Sequence, residues 1–190
     1  MIRSTLTLAA ILLGAVTASA QAPAPLPAPF TLTSPRFADN SVLPRGYAGN
    51  LPANPNCVGR NLAPPLVWKG IPAGTKSFAF LMIDPEGRGG LGVVHWIAYN
   101  IPASRTSFAA NEITRAPVGY SGGTSTQGLD HYIGPCTPPG TSYHHYTFVI
   151  IATDLEPGAL PPGLTRDQLN PLLVAHTKGS AGFVTRFKHP

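Results

Sequence analysis

The sequence has few charged residues, and those it has are scattered. Only 11% of the 190 residues are charged, against roughly a quarter in typical globular domains. Lysine and arginine total 13 and aspartate and glutamate total 8, which gives a net charge of +5. The basic residues occur singly, without the basic stripe and stacking aromatic residues of a nucleic-acid-binding protein. The composition therefore argues against a nucleic-acid partner, while a mild positive field favours anionic ligands or surfaces.

The chain has no apolar run of the roughly 20 residues that a membrane-spanning helix requires. Its N-terminal run, residues 6–16, lies between Arg3 and the small residues Ala18-Ser19-Ala20, which is the pattern of a cleaved signal peptide. A retained anchor is the alternative, but the run is short for that role. No cysteine lies near the expected cleavage site, so a lipid anchor is not expected. The sequence predicts a signal peptide over residues 1–20 and export to the periplasm or the medium, without stable membrane insertion.

Only two cysteines are present, Cys57 and Cys136. In the oxidising compartment that a signal peptide implies, an even pair predicts one disulfide, although two separate buried thiols are the alternative. Residues 21–29 (QAPAPLPAP) are rich in proline and alanine and predict an extended linker. Residues 30–190 are then expected to form a single domain, since that length suffices for one hydrophobic core.

Short apolar segments separated by proline and glycine turns dominate this domain. The segments 77–83 and 146–152 are almost continuously apolar, so both faces of these strands are expected to be covered. Further strands are predicted over 66–68, 95–101 and 182–187. Many short strands with turn signals between them predict a mainly β fold, either a sandwich or a barrel.

One helix is expected near the C-terminus. Thr165 and Gln168 have the spacing of a capping box, and apolar residues follow them. Pro171 lies too far along to occupy the first helical position, so the helix is expected to kink or to begin later. Gly179 is the expected end of this helix.

Polar residues that can form a binding site lie at the ends of the apolar segments. They are Asp84-Pro85-Glu86, His95-Trp96, Gly134-Pro135-Cys136, Pro138 and His144-His145-Tyr146. Groups at strand ends can converge on one pocket. Two imidazoles with an ordinary pKa of about 6.5 can become donors and cations for an anion, and backbone N–H groups of a glycine- and proline-rich loop can add donors. Asp84 can orient a histidine or receive an ammonium group.

In this order along the chain, the motifs resemble those of the phosphatidylethanolamine-binding proteins, specifically the bacterial Raf-kinase-inhibitor-like branch. The resemblance runs from about Phe30 to Phe187. It is also carried by Asn61-Leu-Ala-Pro-Pro-Leu-Val-Trp68, Gly70-Ile-Pro-Ala-Gly-Thr-Lys-Ser77, Tyr99-Asn-Ile-Pro102 and Pro138-Pro-Gly140. It implies two antiparallel sheets with a few short helices, and a small pocket for phosphate-type groups, including phosphorylated head groups. The implied pocket residues are Asp84, His95, Gly134, His144 and Tyr146, with Glu86 and Pro138 at the rim.

The sequence departs from the family pattern at two places. His145 stands where the family usually has arginine, and the usual DPD-A-P motif is replaced by Asp84-Pro-Glu86-Gly-Arg88. Loss of that arginine is expected to make charge compensation at the pocket more dependent on pH, and Arg88 is a candidate for the missing cation. His145 itself is expected to face solvent, and Tyr99 is a weaker candidate than Tyr146 for the pocket wall.

Two patterns suggest other chemistry. Asp84, His95, Cys136 and His144 include zinc-binding residue types, but closely spaced ligand pairs are missing and adjacent histidines on a strand point to opposite faces. No metal or cofactor is therefore expected. The sequence Gly119-Tyr-Ser121-Gly-Gly123 matches the nucleophile elbow of serine hydrolases, but no helix pattern follows it.

The sequence therefore predicts an exported, non-enzymatic protein that binds a small anionic or phosphorylated ligand. The alternative is an inhibitor of a protease, or of a kinase, through surface contacts, because the resembling family includes such activities. A protease is the expected partner in that case, since an exported protein would rarely meet a cytosolic kinase. A hydrolase acting through Ser121 is the third possibility. Nothing in the sequence indicates the oligomeric state.

Overall fold

A six-stranded and a three-stranded β-sheet dominate the computed structural model, which describes residues 28–190. The expected signal peptide, residues 1–20, and residues 21–27 of the expected linker lie outside the described residues. The strands are β1 (Thr31–Thr33), β2 (Ser41–Val42), β3 (Leu66–Lys69), β4 (Ser77–Asp84), β5 (Val93–Pro102), β6 (Ser107–Phe108), β7 (Ser121–Gly122), β8 (His144–Thr153) and β9 (Thr177–Phe187). The segment α1 (Gly87–Gly90) is a tight turn in which Arg88 and Gly89 have left-handed backbone angles, α2 (Arg166–Leu173) is a helix, and Arg45–Tyr47 and Glu112–Thr114 are 3-10 turns.

The strand order is β2-β9-β8-β4-β5-β7 in the larger sheet and β1-β3-β6 in the smaller sheet. All pairs are antiparallel except β2–β9, a two-residue parallel pair at the edge. The predicted mainly β, two-sheet fold with a few short helices is confirmed. The five predicted strands are all present and extend by one to five residues beyond the predicted bounds.

The two sheets enclose an aromatic core. The ring of Trp68 on β3 lies 5.6 Å from that of Phe78 and 5.2 Å from that of Phe80, both on β4. Phe108 on β6 packs against Trp68 and against Trp96 on β5. Offset and edge-to-face contacts of this kind add to the free energy gained by burying large apolar surfaces. The rigid body that results holds the strand ends in place.

The outer face of the larger sheet carries a second, smaller core. Ala79 and Leu81 on β4 point away from the first core and pack with Ile97 and Tyr99 on β5. Leu169 and Leu173 of α2 cover them. The prediction that both faces are covered is therefore correct for β4, whereas alternate residues of β8 remain partly exposed because the short helix does not reach across them.

The capping box predicted for α2 is present. Thr165 Oγ1 accepts a hydrogen bond from the Gln168 N–H, and Gln168 Oε1 accepts one from the Thr165 N–H at 2.9 Å. The helix begins at Arg166, so the later start considered because of Pro171 is wrong, and it ends at Leu173, so the expected end at Gly179 is wrong, since Gly179 lies inside β9. Pro171 costs one backbone hydrogen bond, which the two capping bonds and the buried leucines offset.

The predicted disulfide between Cys57 and Cys136 is confirmed. It joins the segment 49–61 to the loop 134–140, and the Gly49 N–H donates a hydrogen bond to the Pro135 carbonyl beside it. Among the described residues no helix is long and apolar enough to cross a membrane.

Candidate functional site

The ends of three adjacent strands, β4, β5 and β8, meet at one end of the larger sheet. β4 runs antiparallel to both β5 and β8, and Ile83 pairs with Val94 on one side and with Thr147 on the other. The C-terminal end of β4 therefore lies beside the N-terminal ends of β5 and β8. The turn α1 and the loops 124–129 and 134–141 close this end around a cavity of about 410 Å³.

Five of the seven residues expected at the pocket line this cavity: Asp84, Glu86, His95, Pro138 and His144. Arg88, considered from the sequence as a substitute cation, lines it as well. The cavity also includes polar residues that the sequence did not single out, namely Asn54, Thr126, Gln127, Thr137 and Thr141. These lie in irregular loops, where no strand-end motif or periodicity marks them. Their placement depends on how the loops fold over the sheet edge.

Asp84 and His144 form a buried pair. The Nδ1–H of His144 donates to Asp84 Oδ2 at 2.8 Å, and the Gly87 backbone N–H donates to Asp84 Oδ1 at 3.0 Å. A Cβ atom at Gly87 would lie 2.6 Å from Val93 Cγ2, so only glycine allows this turn to approach the carboxylate. Both oxygens of Asp84 have partners. The geometry therefore favours orientation of His144 over reception of an ammonium group as the role of Asp84.

His95 is the second imidazole of the cavity and is 3% exposed. Its Nδ1–H donates to the Ile133 carbonyl at 2.9 Å. Burial lowers the pKa of His95, although the hydrogen bond to Ile133 and the nearby charge of Asp84 oppose this effect. Before a ligand binds, the buried ring is therefore held mainly in its neutral form, with Nε2 left to meet a ligand.

A second carboxylate–imidazole pair lies at the rim. Glu86 Oε1 accepts the Nδ1–H of His145 at 2.8 Å, and Glu86 Oε2 accepts the backbone N–H of His145 at 3.1 Å. Partial burial raises the pKa of Glu86, but the two hydrogen bonds from His145 outweigh it and leave the pKa below its ordinary value. The side chain of His145 is 46% exposed, and it lies on the face of β8 opposite to His144. At the position where the sequence departs from the resembling pattern, a carboxylate–imidazole pair thus joins α1 to β8.

Gly134 and Tyr146, both expected at the pocket, are buried but are not part of the cavity wall. The Gly134 N–H donates to Asn61 Oδ1 at 2.7 Å, and this bond fixes the loop to the segment 49–61. The hydroxyl of Tyr146 hydrogen-bonds Thr137 Oγ1 at 2.9 Å. Burial, with the nearby charge of Asp84, raises the pKa of Tyr146, so the phenol stays neutral. Both residues support the cavity from behind.

The weaker candidates lie elsewhere. Tyr99 belongs to the outer core, and its hydroxyl donates to the Pro161 carbonyl at 2.7 Å. Ser121 lies in the edge strand β7 and accepts a hydrogen bond from the Asn100 side chain at 2.9 Å, and no helix follows it. A nucleophile elbow requires a strand, a sharp turn and a helix. Within residues 28–190 no group of three or more histidine, cysteine, aspartate or glutamate side chains is arranged to hold a metal ion.

The chain is similar in sequence to several known proteins. The family model described as "Phosphatidylethanolamine-binding protein" matches residues 33–188. LppC of Mycobacterium tuberculosis, a protein named as a lipoprotein, is 36% identical over 176 residues, which cover 92% of this chain and 80% of LppC. YbcL of Escherichia coli is 38% identical over 104 residues, covering 53% of this chain and 57% of that protein.

Two solved structures resemble the whole sandwich. The crystal structure of E. coli YbcL, described as a new member of the mammalian PEBP family, superposes with a TM-score of 0.75 and 29% identity, covering 85% of this chain and 99% of that one. CT736 of Chlamydia trachomatis, described as a homologue of phosphatidylethanolamine-binding protein, gives a TM-score of 0.70 and 25% identity, covering 85% of this chain and 98% of that one.

Proposed function

Because this chain belongs to the phosphatidylethanolamine-binding protein family, we propose that its cavity binds a small phosphorylated ligand through His95 and His144. One observation carries the proposal: two imidazoles line the same cavity, and each has its Nδ1 committed to a protein acceptor. This arrangement fixes the tautomer and the ring orientation, and it leaves Nε2 of both rings for the ligand. Arg88 adds a positive charge at the wall.

Binding of an anion should be coupled to proton uptake. In a neutral imidazole whose Nδ1 carries the proton, Nε2 is an acceptor and cannot donate to a phosphate oxygen. A dianionic phosphate therefore favours the protonated ring, which donates from both nitrogens and carries a positive charge. Asp84 accepts the Nδ1–H of His144, whereas burial opposes protonation of His95 and lowers its pKa. Affinity should consequently rise as the pH falls from 8 to 6.

The proposed activity is capture of the ligand and not catalysis. The one serine in a hydrolase-like motif, Ser121, has an amide group as its hydrogen-bonding neighbour, where a hydrolase needs a general base. Ser121 should accordingly resist labelling by a fluorophosphonate probe. Specific labelling of Ser121 would favour hydrolase chemistry instead.

Calorimetric titration of the purified protein with inorganic phosphate at pH 6 and pH 8 tests the proposal. A charge-assisted hydrogen bond contributes about 1.5–3 kcal/mol, so His144→Ala and His95→Ala should each weaken binding about tenfold or more. His176→Ala is a matched control, because His176 forms a comparable pair with Asp154 at 2.7 Å, outside the cavity. That variant should bind phosphate as the wild type does.

Proton uptake provides an independent readout of the same step. Titrations in buffers with different ionisation enthalpies should give different apparent binding enthalpies, and the difference should disappear in the double variant His95→Ala/His144→Ala. Absence of phosphate binding at both pH values would contradict the proposal and would direct attention to a protein partner, such as a protease.

The protein is further proposed to act outside the cytoplasm, in the periplasm or the medium. The signal-peptide pattern of residues 1–20 supports this, as do a disulfide, which is typical of oxidising compartments, and similarity to LppC, which is named as a lipoprotein. N-terminal sequencing of protein recovered from extracytoplasmic fractions should begin at Gln21.

A further inference from the structure

A second cavity, of about 380 Å³, adjoins the cavity at the strand ends. Its wall combines the turn α1, the start of β5, the loop after β7 and the first residues of α2. Arg88, Val93 and Thr126 line both cavities, so the two have part of their wall in common. We call the second one the outer cavity, and it is bounded mainly by residues 88–94, 124–126 and 165–167.

Two arginine side chains of the outer cavity have no partner in the part of the chain that the structure describes. Arg88 and Arg166 line the cavity, and neither guanidinium forms an ion pair there, whereas Arg105 elsewhere pairs with Glu112 at 2.6 Å. Asp167 also lines the outer cavity. It lies in the first turn of α2, where the helix favours a carboxylate, and it pairs with neither arginine. The outer cavity therefore has an excess of positive charge.

The backbone at Arg88 is strained. Its φ of 54° and ψ of 38° are left-handed, a conformation that glycine adopts without the cost that a Cβ atom brings. The residues around it in the turn, Gly87, Gly89 and Gly90, are all glycines. Strained residues of this kind cluster at binding sites, where the strain places a side chain. An arginine at this position therefore points to a role for its guanidinium group.

We propose that the outer cavity is a second anion site, which binds a doubly charged oxyanion group, such as sulfate or a sulfate or phosphate ester, through Arg88 and Arg166. Each guanidinium presents parallel N–H donors that match two oxygens of such a group. Two arginine charges also balance two negative charges. The site does not use His95 or His144, neither of which lines the outer cavity, so it is independent of the proposed function.

Inorganic sulfate is the probe, because its charge does not change between pH 6 and pH 8. Added to the purified protein at constant ionic strength, it should shift the backbone amide signals of residues 165–167 saturably in proton–nitrogen correlation spectra. Arginine stays protonated over this range, so the apparent Kd should be the same at both pH values, unlike that of a site that depends on histidine. Acetate, with a single charge, should bind about tenfold or more weakly than sulfate, because it forms fewer charge-assisted hydrogen bonds.

Three variants test the assignment of the two arginines. Arg166→Gln should weaken sulfate binding about tenfold or more, since a hydrogen bond to a charged group contributes at least that factor. Arg88→Gly should weaken it as much, yet its melting temperature should equal or exceed that of the wild type, because glycine suits the left-handed backbone. Arg36→Gln removes a cation that lines neither cavity, and it should bind sulfate within about twofold of the wild type.

The double variant His95→Ala/His144→Ala separates this site from the cavity at the strand ends. The sulfate-induced shifts at residues 165–167 should persist in it, and their loss would mean that sulfate binds at the histidines, which would overturn the proposal. Shifts that survive in both Arg166→Gln and Arg88→Gly would overturn it too, as would equal affinities for acetate and sulfate. Saturable shifts that disappear only in the two arginine variants would establish the second anion site.

Discussion

Two neighbouring residues of β8 hold two carboxylates on opposite faces of the strand. His144 points inward to Asp84, and His145 points outward to Glu86. Strand alternation requires this division, because successive side chains leave opposite faces. The inner pair is nearly buried and lies at the cavity, whereas the outer pair is about half exposed and fixes the turn that carries Arg88. Substitution of the inner pair should therefore change ligand binding, whereas substitution of the outer pair should change how the turn is held.

Asp84→Asn should weaken phosphate binding about tenfold at pH 6, because a neutral amide makes a weaker hydrogen bond to His144 Nδ1–H than the carboxylate does and so orients the ring less firmly. Isothermal titration calorimetry checks this, with Asp154→Asn, the partner of His176, as the control outside the cavity. Tighter binding of phosphate by Asp84→Asn would show that the carboxylate merely repels the anion.

His95 should make the protein less stable as the medium becomes acidic. Its folded-state pKa lies below the ordinary value of about 6.5, so below that pH the unfolded chain binds more protons than the folded one. The free energy of unfolding should therefore fall by up to about 1.4 kcal/mol per pH unit as the pH drops below about 6.5. Urea denaturation at pH 7.5, 6.5 and 5.5 measures the slope.

His95→Gln retains a donor for the Ile133 carbonyl but does not titrate, so its slope over this range should be smaller than that of the wild type by the contribution of one histidine. The lowered pKa of Glu86 also destabilises the protein in acid, but only below the carboxyl range near pH 4.5. An identical slope in wild type and His95→Gln would contradict the role assigned to this buried ring.

At the scale of single elements, α2 depends on its N-terminal cap. Only eight residues form this helix, and an isolated helix of that length is unstable in water. Its stability comes from the capping box at Thr165 and Gln168 and from Leu169 and Leu173, which cover the outer face of the larger sheet. Loss of the cap should therefore lower the free energy of unfolding of the whole fold.

Thr165→Ala should lower the free energy of unfolding by about 1 kcal/mol, because it removes the side-chain acceptor of the Gln168 N–H. For a protein of this size that corresponds to a decrease of roughly 2–4 °C in the melting temperature, measurable by differential scanning calorimetry. Thr165→Ser keeps the hydroxyl and should remain close to the wild type. Equal losses in both variants would point to a cause other than capping.

At the scale of the whole molecule, the disulfide joins two segments that are 79 residues apart in sequence. Cys57→Ser/Cys136→Ser should lower the free energy of unfolding by about 4 kcal/mol, since the unfolded chain regains the freedom of a long loop. Urea denaturation of the oxidised wild type and of the variant measures this difference. Reducing agent should shift the wild-type midpoint to that of the variant and leave the variant unchanged; an unshifted wild type would contradict the prediction.

Phosphate affinity should fall in the same variant. The bond connects a segment that contributes Asn54 to the cavity with a loop that contributes Thr137 and Pro138. Without the disulfide these two walls can move apart, which should weaken phosphate binding. Calorimetry on the folded variant measures its phosphate affinity.

The sequence predicted the parts of the molecule that depend on local patterns or on a family motif. The continuous apolar segment 77–83 predicted a strand covered on both faces, and the disulfide was predicted from an even cysteine count in a chain with a signal-peptide pattern. The motifs of Asp84, His95 and His144 predicted a shared pocket, and the three residues line one cavity, while their binding of a ligand stays a prediction. No local pattern marks Gln127, because its position depends on how a polar loop closes over the sheet edge.

Two differences from the sequence-based expectations have physical causes of the same kind. Gly134 was expected at the pocket, but its N–H donates to Asn61, which is 73 residues away in sequence, and Gly134 does not line the cavity. Gly179 was expected to end α2, yet pairing with Ala152 of β8 draws it into β9. In both cases a long-range contact overrides a correct local preference, and a single sequence does not display such contacts.

The central position of β4 has a consequence for the order of events during folding. Asp84 and His144 are 60 residues apart in sequence, and they meet only when β4 pairs with β8. Pairing of such distant segments forms late and slowly compared with local turns. If the cavity binds phosphate as proposed, a refolding chain should acquire phosphate affinity only after this pairing, so ligand capture in a stopped-flow experiment should report the formation of the β4–β8 pair.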